Sequence, residues 1–162
     1  IPLLKMAFIA LGSQVLTGAG DTLDVTGLEN KPYLHIEGIV RGANTRILVT
    51  FNGSTSAEYV YRFQANQAGD SSNVNKNNIN PTYDTAPTVK FLVMDVINLD
   101  GQEKVGIGKY TDIGSAGVSN APNEMQFTFK WTGSAVINQV TFTNDDSGDY
   151  GATSSLSVFG SA

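Results

Sequence analysis

The 162-residue sequence contains no cysteine, so no disulfide staples the fold and no thiolate can hold a metal. It contains one histidine, His35. That rules out metal sites built on two imidazoles and leaves a single candidate base for a nucleophile–base–acid triad. Charge is scarce. Asp, Glu, Lys and Arg make up 15% of the chain, against roughly 25% in an ordinary soluble domain. The ten basic residues are scattered and outnumbered by fifteen acidic ones, for a net charge of −5. Displacing phosphate counterions takes concentrated Lys and Arg, so neither nucleic acid nor an anionic membrane is expected as a partner. No apolar run approaches the roughly 20 residues of a membrane-spanning helix.

What the chain has instead is glycine and small polar residues. Seventeen glycines and many Asn, Ser and Thr suit a protein of numerous turns, because Gly and Asn accept the positive φ angles that turns demand. The same residues suit helices badly. Ser, Thr and Asn compete for backbone hydrogen bonds, and glycine costs about 1 kcal/mol against alanine in a helix. Hydrophobic residues reach 41% of the 162 positions, enough for a full core in one domain spanning residues 1–162.

Period-two alternation runs from end to end. Leu34, Ile36, Gly38 and Val40 alternate with Tyr33, His35, Glu37 and Arg41, Ile47, Val49 and Phe51 with Arg46, Leu48 and Thr50, and Tyr59, Tyr61 and Phe63 with Glu58, Val60 and Arg62. Met125, Phe127, Phe129 and Trp131 form another such row, followed by Val140 with Phe142 and Leu156 with Val158. Val89 to Leu99 is apolar at both parities, the pattern of a strand buried on both faces. Turn sequences fall between the runs: Thr17-Gly18-Ala19-Gly20-Asp21, Asn52-Gly53-Ser54, Asp100-Gly101 and Asp145-Asp146-Ser147-Gly148-Asp149. The spacing predicts about eight to ten strands in an all-β, two-sheet antiparallel β-sandwich of jelly-roll-like form. Phe51, Tyr61, Phe91, Val93, Phe127, Phe129, Val140, Phe142, Leu156 and Val158 are expected between the sheets. Ala65 to Pro87, rich in Asn, reads as one long loop, and loops of that length are usually functional or mobile.

Few residues suggest chemistry. His35 shares a strand face with Glu37 and Arg41 and is expected to face solvent. Glycoside hydrolysis needs a pair of carboxylates at a set separation, but Glu29, Glu37, Glu58, Glu103 and Glu124 fall at strand ends or on polar faces. Gly106-Ile107-Gly108-Lys109 lacks the spacing and the following Ser or Thr of a phosphate loop. Asn144 to Asp149 admits two readings, a plain acidic turn or a calcium site with Asp145, Asp146 and Asp149 as ligands. No other cofactor is suggested. Trp131 shares a face with Met125, Phe127 and Phe129, which predicts core packing over an exposed sugar platform.

Two stretches carry a family resemblance: Gly20-Asp21-Thr22-Leu23-Asp24-Val25-Thr26-Gly27-Leu28 with Lys31-Pro32-Tyr33-Leu34-His35-Ile36, and Ile137 to Asn144 continuing through Ser147-Gly148-Asp149-Tyr150 to Ser155–Gly160. With Phe51-Asn52-Gly53 and Tyr59-Val60-Tyr61-Arg62-Phe63 between them, the chain resembles small β-rich virion proteins of tailed phages and other prokaryotic viruses. These are capsid, decoration or tail-associated proteins. The resemblance implies a jelly-roll-like sandwich that assembles into symmetric oligomers with other virion proteins, located in the virion or outside the cell, and it implies no catalytic residue. It is weakest over Ala65 to Pro87, where a partner-specific role would sit.

A structural, non-enzymatic subunit is therefore the expectation. A carbohydrate-binding module recognising a host-surface glycan and a subunit of an extracellular filament are the alternatives. The opening run, Ile1-Pro2-Leu3-Leu4-Lys5-Met6-Ala7-Phe8, lacks the basic lead of a secretion signal and reads as mature protein. With no methionine at position 1, either an upstream segment has been removed or Met6 is the native start. Residues 1–6 read as an arm, with Ile1, Pro2, Leu3, Leu4 and Lys5 expected to contact another copy, because an apolar arm in water is an association liability.

Overall fold

The computed structural model describes residues 7–162, so the arm contacts expected of Ile1 to Lys5 lie outside the described residues. Eleven strands and no helix are present among the described residues: β1 (Ile9–Val15), β2 (Thr22–Val25), β3 (Tyr33–Arg41), β4 (Leu48–Phe51), β5 (Tyr59–Ala65), β6 (Ser71–Lys76), β7 (Val89–Ile97), β8 (Lys104–Asp112), β9 (Asn123–Trp131), β10 (Val140–Thr143) and β11 (Ser155–Ser161). They form the antiparallel β-sandwich that the alternation predicts, with unequal layers. The large sheet has eight strands in the order β1-β11-β3-β7-β8-β9-β5-β6, and the small sheet has three, β2-β10-β4. N-terminal strands pair with C-terminal ones, β1 and β3 with β11 and β2 with β10, which wraps the chain in jelly-roll fashion.

The core lies between the sheets. Leu34, Ile36 and Val40 of β3, Leu92, Met94 and Val96 of β7, and Met125, Phe127, Phe129 and Trp131 of β9 face Leu23, Val49, Phe51, Val140 and Phe142 of the small sheet. Phe51 sits at the aromatic centre, with ring centroids 5.9 Å from Phe129 and 5.8 Å from Trp131. The indole of Trp131 donates to Glu58 Oε2 at 3.1 Å. Two glycines make room for these rings. A Cβ on Gly38 would fall 2.1 Å from Phe142, and one on Gly108 would fall 2.2 Å from Phe127.

Phe91 and Val93 are not between the sheets. Cross-strand pairing of Leu34 with Val96 and Ile36 with Met94 sets the parity of β7. Leu92, Met94 and Val96 therefore turn inward, leaving Phe91 38% exposed on the outer face. A period-two strand buries both parities only when both sheet faces are covered, and among the described residues one face here has no second layer.

The stretch Ala65 to Pro87 is also more ordered than a long loop. It contains β6, an edge strand paired with β5. It then joins the inner layer, where Ile79 is fully buried and forms an isolated bridge to Val49. Two fully buried lysines pin loops to the sandwich ends. Lys90 Nζ donates to Gly42 O and Thr45 Oγ1 at 3.1 Å each, to Thr85 O at 3.2 Å and to Pro87 O. Lys104 Nζ donates to Leu99 O at 2.7 Å, Ser134 O at 2.9 Å and Gln102 O. Burial pulls both ammonium groups below the ordinary lysine range, partly offset by nearby aspartates.

Gly38→Ala should therefore cost about 1–3 kcal/mol through overpacking against Phe142, measured by urea unfolding. Gly18→Ala, where nothing lies within 4 Å, is the matched control. Equal stability of the two variants would contradict this packing.

Candidate functional site

The outer face of the large sheet gathers the chain's unassigned features. Ladder pairing lays its side chains in four rows across β3, β7, β8 and β9. The first is Tyr33–Ile97–Val105–Lys130 and the second His35–Asp95–Ile107–Thr128. The third is Glu37–Val93–Lys109–Gln126 and the fourth Ile39–Phe91–Thr111–Glu124. Because β7 is apolar at both parities, its outer side adds Phe91, Val93 and Ile97 to what would otherwise be a polar surface.

His35 sits within this face. Its Nδ1 lies 2.7 Å from Asp95 Oδ1 and its Nε2 lies 3.0 Å from Glu37 Oε1. Phe8 and Phe159 flank the ring, with centroids at 5.7 and 6.1 Å, leaving 27% of the side chain exposed. The solvent-facing position expected from the sequence is thus half-buried, and its Asp95 partner comes from a strand 60 residues away. Burial alone would lower the imidazole's pKa. The hydrogen bonds and charges of Asp95 and Glu37 outweigh it and raise the pKa above 6.5. Each ring nitrogen faces a carboxylate, and in the protonated ring both N–H groups donate, one to Asp95 and one to Glu37. The cluster clips β3 to β7 across the outer face.

The other candidates disperse. Asp145 Oδ1 accepts from Arg46 Nη1 at 3.0 Å, and Asp146 Oδ2 lies 3.5 Å from Arg46 Nη2. Asn144 shapes the turn, accepting from the backbone of Arg46 at 2.8 Å and Asp146 at 3.2 Å. Asp145, Asp146 and Asp149 do not converge, and among the described residues no group of three His, Asp or Glu side chains is placed to hold a metal ion. The glutamates are likewise engaged: Glu29 with Lys31, Glu103 with Lys130, Glu124 with Lys109, and Glu58 with Ser54 and Trp131. Trp131 is in the core, as its row predicts.

Two shallow grooves lie on the outer face and share Asp95 and Ile107. One, of about 370 Å³, is walled by Phe8, Tyr33, Ile97, Val105 and Ile107, with Asp95 as its only charged side chain. The other, of about 460 Å³, continues over β8 and β9 toward Arg62 and Lys109. A third depression, at the sandwich end by Asp84, Ser115 and Asn120, is polar and has no aromatic wall on which a sugar ring could stack.

The His35 clip has a defined pH signature. A histidine with a raised folded-state pKa stabilises the fold below its unfolded value of 6.5, and that contribution disappears as pH rises through the folded value. His35→Gln should cost up to about 1 kcal/mol between about pH 5 and 6 and approach wild type in alkaline solution, by chemical unfolding. A deficit that does not change with pH would contradict the clip.

No family model matches the sequence, and no curated protein is significantly similar to it, so function is argued from the surface geometry and the sequence pattern.

Proposed function

We propose that this chain is a non-enzymatic structural subunit of a virion, acting as a capsid, decoration or tail-associated protein that self-assembles. The observation that carries the self-assembly reading is the apolar outer face. Phe8, Tyr33, Ile39, Phe91, Ile97, Val105 and Ile107 are between 38% and 58% exposed. At roughly 150–200 Å² per side chain, seven half-exposed residues leave on the order of 600 Å² of apolar surface, the upper end of what a monomer carries in water. Such a face fits a subunit whose work is to be covered by a neighbour.

The virion setting rests on the sequence resemblance and on consistent chemistry. An acidic surface without a basic patch suits an outer position over contact with genome. The buried polar groups also serve architecture. Besides the lysine clamps, Tyr59 Oη donates to Ser54 O at 3.0 Å and Tyr150 Oη to Arg46 O at 2.6 Å. Burial pushes the Tyr59 phenol up to about 12, which keeps it a neutral donor.

Sedimentation of the purified protein at micromolar concentration should give a mass of two or more chains that falls on dilution. A strictly monomeric protein at every concentration would refute the assembly reading.

A further inference from the structure

We propose that the apolar groove at the Tyr33 end of the outer face holds residues 1–6 of the same chain, the segment that leads into Ala7 and Phe8. This rests on the reading of the outer face as a surface that has to be covered, and it names what covers this part of it in the free subunit.

The groove defines the chemistry of its occupant. Phe8, Tyr33, Ile97, Val105 and Ile107 wall it, and Asp95 is its only charged side chain. The charges around it are already engaged. His35 lies 2.7 Å from Asp95 and 3.0 Å from Glu37. Lys130, beside Val105 in the first row, pairs with Glu103 at 3.0 Å. A carboxylate offers about four acceptor sites, and the imidazole occupies one of those on Asp95. A fitting occupant is therefore a short apolar segment that carries one positive charge. Ile1-Pro2-Leu3-Leu4-Lys5-Met6 has that composition, with Lys5 as its sole charged residue. A purely aliphatic occupant, such as a lipid tail, would desolvate Asp95 without bringing a cation to it.

Reach agrees with composition. β1 begins beside the groove, where Ile9 pairs with Gly160 and Gly160 with Leu34. The Phe8 ring extends over β11 to lie 5.7 Å from the His35 ring. The sheet order places four strand spacings between β1 and β8, about 19 Å at about 4.8 Å each. Six residues of extended chain span about 20 Å. A path across the ends of β11, β3 and β7 thus brings Leu3 beside Val105 and sets Lys5 above β3, a side chain's length from Asp95 on the next strand. Pro2 suits such a path, because its ring fixes φ and keeps the preceding residue extended. Attachment favours the chain's own segment over that of a second copy. A short tether gives a millimolar effective concentration, which neighbours in a dilute solution do not match.

Because the chain contains no cysteine, the seat can be read by crosslinking. Leu3→Cys and Val105→Cys are combined in one chain, which is oxidised at low micromolar concentration. An intrachain disulfide is expected, detected as a tryptic pair joining residues 1–5 to residues 105–109, since Lys5, Lys104 and Lys109 bound those peptides. Leu3→Cys combined with Val74→Cys, on the far edge strand β6, is the control and should stay reduced. No disulfide in the first pair, or equal yield in both, would overturn the proposal. A disulfide between chains in its place would overturn it in favour of the segment of a neighbouring copy. A second readout needs no engineered bond. In a Val105→Cys protein, adding Leu3→Asp and Leu4→Asp should speed alkylation of the thiol by iodoacetamide about 10-fold by uncovering the groove, and an unchanged rate would contradict the cover. Sedimentation of the wild type separates this proposal from the reading it rests on. A monomer whose engineered pair still closes removes self-assembly and keeps the seat, and an oligomer whose pair stays open does the reverse.

Discussion

Three strands cannot cover eight. At about 4.8 Å between strands, the large sheet is about 34 Å across and the small sheet about 10 Å, and much of the architecture follows from that mismatch. The inner face of the large sheet must be kept from water, so non-strand segments are drawn over what the small sheet misses. The stretch after β6 lays Ile79 beside Val49 and brings Asp84 O within reach of Tyr110 Oη. At the other end, Ile137 is fully buried, and its backbone N–H donates to Asn98 Oδ1 at 2.6 Å. Irregular backbone over a core leaves carbonyls without strand partners, and such groups are costly when buried dry. Lys90 and Lys104 supply donors there, which is why two ammonium groups are tolerated at full burial.

The same mismatch shapes the outer face. With the second layer spent on the inside, nothing in the chain's described residues covers the outside, yet β7 keeps apolar side chains there. Its alternation fails because both of its faces serve burial, the inner one within the subunit and the outer one, in our proposal, between subunits. The His35 clip fits that arrangement. It ties β3 to β7 across the middle of the face and sets an imidazole between two carboxylates that lie among Ile97, Ile107 and Val93.

Much of the fold was legible in the sequence because a strand with one wet face advertises itself at period two. β3, β5, β9, β10 and β11 read correctly at the level of individual side chains, including Trp131 as a core residue. The failures have physical causes. β7 gave no parity because both its faces are apolar, and only the pairing of Leu34 with Val96 resolves it. β6 was invisible because an edge strand is held by backbone bonds to β5, and its Ser and Asn side chains are nearly all exposed. Burial of Lys90 and Lys104 could not be foreseen, since lysine marks a surface almost everywhere else. The site was less legible than the fold. His35 and Glu37 were visible as neighbours on one face, but Asp95 joins them only through the β3–β7 register. The acidic turn that invited a calcium reading is instead organised by Asn144 and faced by Arg46.

In our proposal the outer face of the large sheet is an interface between copies of this chain. Methyl NMR over a dilution series tests it most directly, since Ile97, Val105 and Ile107 report from the face while Val74 on β6 and Val118 in the loop after β8 are exposed elsewhere. The three face methyls should shift together along one binding curve while Val74 and Val118 stay fixed. Face methyls that do not move with concentration, or a shift centred on Val74 or Val118, would contradict it.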